Sequence, residues 1–238
     1  MQTMAQAVQA ASAVIAESTN PTVIKTHSDW DWQWHLTGTE TAPERVIADN
    51  MLHSARSFIS DMITGAEPRW LVLVGESGCG KTYLAERIVE WMKVYGRCVY
   101  NRERERLGRD GLSSLWTYAQ EGAFMCRWSR LLNQLRSGDY HRLEVAAQDW
   151  FKVIDDLGTD SAGADGEATQ FAVQKMGDLL DRRLRKWTVI TTNYNRKQIA
   201  DRFDARIASR LMRHGSVMVD ADGLRDYGLR LEEGRVAA

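Results

Sequence analysis

The sequence predicts an α/β domain, a parallel five-stranded sheet flanked by helices. Three observations carry that expectation. Short runs rich in apolar residues recur at 70–74, 97–100, 150–154, 187–191 and 216–219, each suited to a buried parallel strand. Stretches with helical periodicity separate them, as the crossovers of a parallel sheet require. A glycine-rich turn sits directly between the first run and the helix after it. The chain has 238 residues, enough for one or two domains, and its 44% apolar content can fill a sizeable core.

In chain order, residues 4–17 are Ala-rich and predict a short helix, and 18–29 read as a linker. Trp30, Trp32 and Trp34 then alternate at period two, which favours a short extended segment with one aromatic face. Thr41-Ala-Pro43-Glu44 resembles a capping box. After it, Ile47, Met51, Ala55, Phe58 and Met62 share one helical face that Gly65 can terminate. The first strand is followed by a helix over about 82–95 and a second strand at Arg97–Tyr100. Helices are expected over 113–136 and 141–149, a third strand over 150–154, and an amphipathic helix over 168–186. A fourth strand at 187–191, two short helices within 195–213 and a fifth strand at 216–219 complete the pattern. The division predicted is a partner-binding or linker segment at 1–42 and one folded domain at 43–238.

Charge sharpens that division. The formal net charge of -1 hides 8 acids against 3 bases in residues 1–67, where all three prolines (Pro21, Pro43, Pro68) also lie. Residues 68–238 are mildly basic, and 181–213 alone carry 10 bases and 3 acids. Cys79, Cys98 and Cys126 match no common zinc spacing and read as free thiols in a reducing cytoplasm. No apolar run approaches the roughly 20 residues that span a bilayer, and the start lacks the basic n-region of a secretory signal. A cytoplasmic protein with no membrane partner is expected.

The turn after the first strand is Gly75-Glu76-Ser77-Gly78-Cys79-Gly80-Lys81-Thr82, which fits G-x-x-x-x-G-K-[ST] at every fixed position, in the strand-to-helix context the motif needs. Such glycines let backbone N–H groups turn inward around phosphate oxygens, and the helix N-terminus adds its positive dipole end. Lys81 would reach the β- and γ-phosphates, Thr82 would ligate Mg²⁺, and Tyr83 follows in the first turn. The third strand ends in Asp155-Asp156. A carboxylate there can hold Mg²⁺, the role given to Asp155, and Asp156 would orient or deprotonate an attacking water; surface acids at a strand end are the plainer alternative. Asn193, after the fourth strand, is a candidate hydrogen-bond donor to water and γ-phosphate, or else a helix cap. Arg206 and Arg210 lie at i, i+4 on one helical face, as a solvated basic pair or as an arginine finger reaching a neighbouring subunit's nucleotide.

Together these strings, GESGCGKT, FKVIDD followed by LG, TTN and RIASRL, resemble the AAA+ ATPases of the DnaA/DnaC clade over roughly residues 45–220. The resemblance is strongest to helicase loaders such as DnaC and DnaI and to IstB-like transposition ATPases. It implies a P-loop NTPase sheet without a C-terminal helical lid, ATP and Mg²⁺ as ligands, and ATP hydrolysis to ADP and phosphate. By it Lys81, Thr82, Asp155, Asp156 and Asn193 take the roles above, Arg210 matches the arginine finger, and Arg206 is its possible partner. One departure is Asp156, where the family usually carries Glu.

The resemblance further implies a self-oligomer with ATP at subunit interfaces, acting on single-stranded DNA and a replicative DNA helicase in replication initiation. An IstB-like regulator of a transposase is the alternative. Arg102, Arg104, Arg106 and Arg109, with Arg127, Trp128, Arg130 and Arg136, have the composition of a single-strand groove. Interleaved acids favour a solvated face for the first group, and a core role competes for Trp128. The Trp30/Trp32/Trp34 segment either docks on the chain's own body or binds the protein partner. A regulatory GTPase is disfavoured because no Asn-Lys-x-Asp signature follows the fourth strand. A metabolic kinase would leave the arginine pair unexplained.

Overall fold

The computed structural model describes residues 36–93, 124–159, 168–213 and 215–237. The expected helix at 4–17, the three tryptophans, the strand at 97–100, Cys98 and Arg102–Arg109 lie outside these residues. The elements are α1 (Ala42–Thr64), β1 (Trp70–Val74), α2 (residues 81–93), β2 (Met125–Arg127), α3 (Trp128–Arg136), α4 (His141–Gln148), β3 (Phe151–Asp155), α5 (Gln170–Arg183), β4 (Trp187–Thr192), α6 (Arg196–Arg202), α7 (Ala205–Leu211), β5 (Val217–Asp220) and α8 (Tyr227–Ala237).

The five strands form one parallel sheet in the order β2-β3-β4-β1-β5. The central strand β1 lies between β4 and β5, with Leu73 beside Thr191 on one side and Val219 on the other. All five of its residues are buried, which is why it reads as a continuous apolar run. The pleat then divides them. Leu71 and Leu73 join α1, α2, Phe151, Val153, Trp187 and Val189 in one core layer. Trp70, Val72 and Val74 face Ile154, Ile190 and helices α3, α5, α6 and α7 in the other. Both faces are therefore covered, as a parallel sheet demands.

The helix predicted from Ile47, Met51, Ala55, Phe58 and Met62 is α1, ended by Gly65 in the left-handed region at φ 75°. Its start is the expected capping box: the Glu44 carboxylate accepts from the Thr41 N–H and hydroxyl. One expectation is corrected. Residues 125–127 form a strand, not part of a helix, because they pair in parallel with Val153–Asp155 before α3 begins at Trp128. The basic stretch 181–213 also contributes a core residue. Arg183 is fully buried, donating to the Trp187 carbonyl at 2.6 Å, the Thr188 hydroxyl and the Asp149 carbonyl. It ties α5 to the starting end of the sheet.

Helix α8, like β2, is a described element that the periodicity did not announce. It is strapped to the segment entering α1. Arg230 and Glu40 form a buried ion pair at 3.0 Å, and Arg225 joins Glu44 at 2.8 Å and Glu233 at 3.0 Å. Burial alone would raise the Glu40 carboxyl, but donation from the Thr37 N–H and hydroxyl and the Gly38 N–H prevails and holds it at about 2. Hydrogen bonds from Arg225 and then Thr41 hold Glu44 at about 2 as well. The unfolded chain takes up these protons as pH falls below the ordinary 4.5, whereas the folded chain resists until about 2. Their stabilisation is present above that upper value and lost towards the lower one. Glu40→Gln strands a buried guanidinium and is expected to cost roughly 3–5 kcal/mol at neutral pH. In thermal melts, the gap to the unsubstituted chain should narrow as pH falls from 4.5 to 2.

Candidate nucleotide site

The glycine-rich turn leaves β1 at the carboxyl edge of the sheet and enters α2. Apart from the turn at Ser77–Gly78, the described backbone hydrogen bonds do not use the N–H groups of residues 77–82. A loop with free donors at a helix N-terminus is an anion cradle, so the chemistry fits a phosphate. Lys81 is buried, and its ammonium donates to the Gly75 carbonyl at 2.8 Å and the Glu76 carbonyl at 2.7 Å, with the Cys79 sulfur at 3.5 Å. Two loop carbonyls thus hold the cation folded across the loop. Cys79 is buried and free, a small loop residue. The motif leaves position 78 open, yet this chain needs glycine there. Gly78 has φ 86°, and an added Cβ would lie 2.0 Å from an oxygen of Asp226.

The loop meets β3 directly. The Thr82 hydroxyl donates to Asp155 Oδ1 at 2.8 Å, joining residues 73 apart. The Thr191 hydroxyl donates to the same oxygen at 2.8 Å and accepts from the Asp156 N–H at 2.8 Å. Asp155 is fully buried, and its Oδ2 has no hydrogen-bond partner. Among the described residues it is ion-paired with Arg127 Nε, 3.5 Å away on β2. A buried, orphaned carboxylate oxygen next to a threonine hydroxyl fits the oxygen-donor preference of Mg²⁺. Among the described residues no cluster of three His, Cys, Asp or Glu could form an all-protein metal cage. Mg²⁺ shared with substrate phosphates would not need one.

Asp156 adopts φ 53°, the left-handed region that a non-glycine residue enters at a cost of about 1–3 kcal/mol. That turn separates its direction from the buried Asp155 and leaves its side chain half-buried. Asn193 is exposed just past β4. The capping alternative for it is overturned: the cap of α6 is Asn195, whose side chain accepts from the Gln198 N–H at 2.9 Å. Lys81, Thr82, Asp155, Asp156 and Asn193 therefore sit at the carboxyl ends of β1, β3 and β4, adjacent strands of one edge.

The match to known proteins is partial. Residues 64–154 match the family described as parvovirus non-structural protein NS1. No curated protein matches the chain. A solved structure titled "Crystal Structure of the DnaI" is 18% identical, covering 76% of this chain and 84% of that one, at a TM-score of 0.48. The sheet order and the glycine-rich loop themselves place the chain among α/β P-loop NTPase folds.

The arginines divide. Arg206 is exposed on α7. Arg210 is partly buried and forms a two-pronged ion pair with Asp181 of α5, through Nε to Oδ1 and Nη2 to Oδ2. Trp128 is fully buried, so the core alternative holds for it and the stacking one is overturned. Two participants escaped the sequence reading. Thr191 lies inside TTN but acts through Asp155, so no local pattern marks it. The sequence offers Arg127 only to nucleic acid, and its place beside Asp155 depends on β2 pairing with β3. Among the described residues no helix is long and apolar enough to cross a membrane.

Proposed function

We propose that the chain is an Mg²⁺-dependent ATPase that works as a helicase loader, assembling on single-stranded DNA and a replicative helicase. The observation that carries the ATPase half is the bond from Thr82 to Asp155, which joins the phosphate loop to a buried carboxylate with one oxygen to spare. Thr82 and Asp155 would hold Mg²⁺, which when bound supplies positive charge against the phosphates. Lys81 exchanges two loop carbonyls for phosphate oxygens, and a charge-assisted bond to phosphate is the stronger of the two. The N–H groups of residues 77–82 donate to the phosphates. Asp156 orients the attacking water and accepts its proton, and Asn193 donates a hydrogen bond at the same end.

Arg210 acts on the nucleotide of a neighbouring subunit, with Arg206 beside it, after leaving Asp181. An arginine at the transition state contributes roughly 4–7 kcal/mol, about 10³–10⁵ in rate. The loader half is supported by the motif combination and by a polar groove along α3. Arg127, Ser129, Arg130, Asn133, Gln134 and Ser137 line that groove, two guanidinium groups with no carboxylate, which suits a phosphodiester backbone. Residues 1–42 bind the protein partner. Affinity capture in ATP from the native host should recover a hexameric helicase, and single-stranded DNA should stimulate phosphate release. Recovery of a transposase, with stimulation by duplex DNA alone, would replace this reading with the IstB-like one.

A further inference from the structure

The groups assigned to hydrolysis, Asp155, Asp156 and Asn193, all follow β3 and β4, which lie on one side of β1. A triphosphate in the loop therefore points its γ-phosphate to that side. Its nucleoside leaves the loop on the other side, where β5 lies. The chain beyond β5 runs past the loop into α8. Asp222 accepts from the Glu76 N–H at 3.0 Å, and the Tyr227 N–H donates to the Gly78 carbonyl at 2.7 Å. Asp226 caps α8 by accepting from Gly228 and Leu229, and its other oxygen lies against Gly78. These contacts engage the outer side of the loop and use none of the N–H groups of residues 77–82.

The same approach brings two aromatic rings together. Tyr83, immediately after Thr82, stacks on Tyr227 with centroids 4.7 Å apart and planes 28° apart. Both residues are half-buried, and the Arg230 guanidinium lies 5.5 Å over the Tyr227 ring. Burial, and then the hydrogen bond with Tyr83, push the Tyr227 phenol well above its ordinary value, so its hydroxyl stays protonated at neutral pH. The buried Arg230–Glu40 pair fixes the helix that carries Tyr227. We propose that the Tyr83–Tyr227 pair is the platform on which the nucleobase stacks, and that α8 is the base-side wall of the nucleotide site. This rests on the nucleotide reading of the loop and assigns a role to a helix that the glycine-rich motif does not include.

The test compares ATP with inorganic tripolyphosphate, which has the phosphates and no nucleoside, by equilibrium binding in Mg²⁺. Tyr227→Ala should weaken ATP by at least about fivefold, the low end of base stacking on an aromatic ring, and leave tripolyphosphate unchanged. Tyr227→Phe, which keeps the ring, should bind ATP as the unsubstituted chain does. Tyr83→Leu should repeat the alanine result, and carries the test if Tyr227→Ala fails to fold. Unchanged ATP affinity in the folded variants would overturn the proposal. So would equal losses of both ligands, which would make α8 a brace of the loop only. An unsubstituted chain that bound neither ligand would overturn the nucleotide reading itself, and this proposal with it.

Discussion

Lys81→Ala is expected to weaken ATP binding by about 10- to 100-fold, the worth of a charge-assisted hydrogen bond to phosphate of roughly 1.5–3 kcal/mol. Hydrolysis should fall further, because the same ammonium meets charge that grows in the transition state. The ground state matters to the size of this effect. The cation already bonds the Gly75 and Glu76 carbonyls, so ATP gains the difference between two neutral acceptors and anionic oxygens. Removing the side chain also frees those carbonyls, and a modest loss of stability of about 1–2 kcal/mol should accompany the loss of binding. Equilibrium binding of ATP, read beside a thermal melt, separates the two. Retained affinity would mean that the loop does not hold the phosphates.

Arg210→Ala should leave ATP binding intact and slow hydrolysis by about 10³–10⁵. The ion pair with Asp181 shapes this expectation. Within one chain the guanidinium is committed to α5, so it reaches a phosphate only by breaking that pair, and an approaching subunit must supply the stronger anion. Activity should accordingly rise with protein concentration. Mixing Arg210→Ala chains with Lys81→Ala chains should restore part of the activity, since the first brings an intact loop and the second an intact arginine. Hydrolysis that stayed absent in the mixture would show that Arg210 acts on its own chain's nucleotide.

The sheet and its loop were legible because their signals are local. β1 is apolar at every position as it is buried on both faces, and the loop after it meets steric demands that few residues satisfy. β2 was not legible. Met125-Cys126-Arg127 is a three-residue edge strand that is only partly buried and runs straight into the apolar face of α3. The sequence around it therefore reads as one continuous helix. α8 was missed for another reason. It contains Gly228 and Gly234, and it is held by Arg230 on Glu40, a partner 190 residues away, rather than by a periodic apolar face. Arg183 is a buried clamp that the sequence does not announce, because neutral carbonyl and hydroxyl acceptors on Asp149, Trp187 and Thr188 leave no sign in composition. Asp155 could be named from its place at a strand end. That its second oxygen is orphaned, and that Thr191 shares its first, emerged only when β3 and β4 were side by side.

The α8 strap also gives the charge asymmetry a physical outlet. Glu40 and Glu44 belong to the acidic first part of the chain, while Arg225 and Arg230 belong to the basic remainder. The two halves meet through ion pairs on the helix that also touches Gly78. The segment entering α1 is thereby joined to the nucleotide loop through a single element.

The central claim is that the loop and β3 form one Mg²⁺-dependent hydrolytic site. Phosphate release from ATP, with and without Mg²⁺, by the 238-residue chain and by its Asp155→Asn variant tests it most directly. The account predicts release that requires Mg²⁺ and falls by at least about 100-fold in the variant, where a neutral amide replaces the anionic oxygen beside Thr82. Release in Asp155→Asn at the unsubstituted rate, or release indifferent to Mg²⁺, would contradict it.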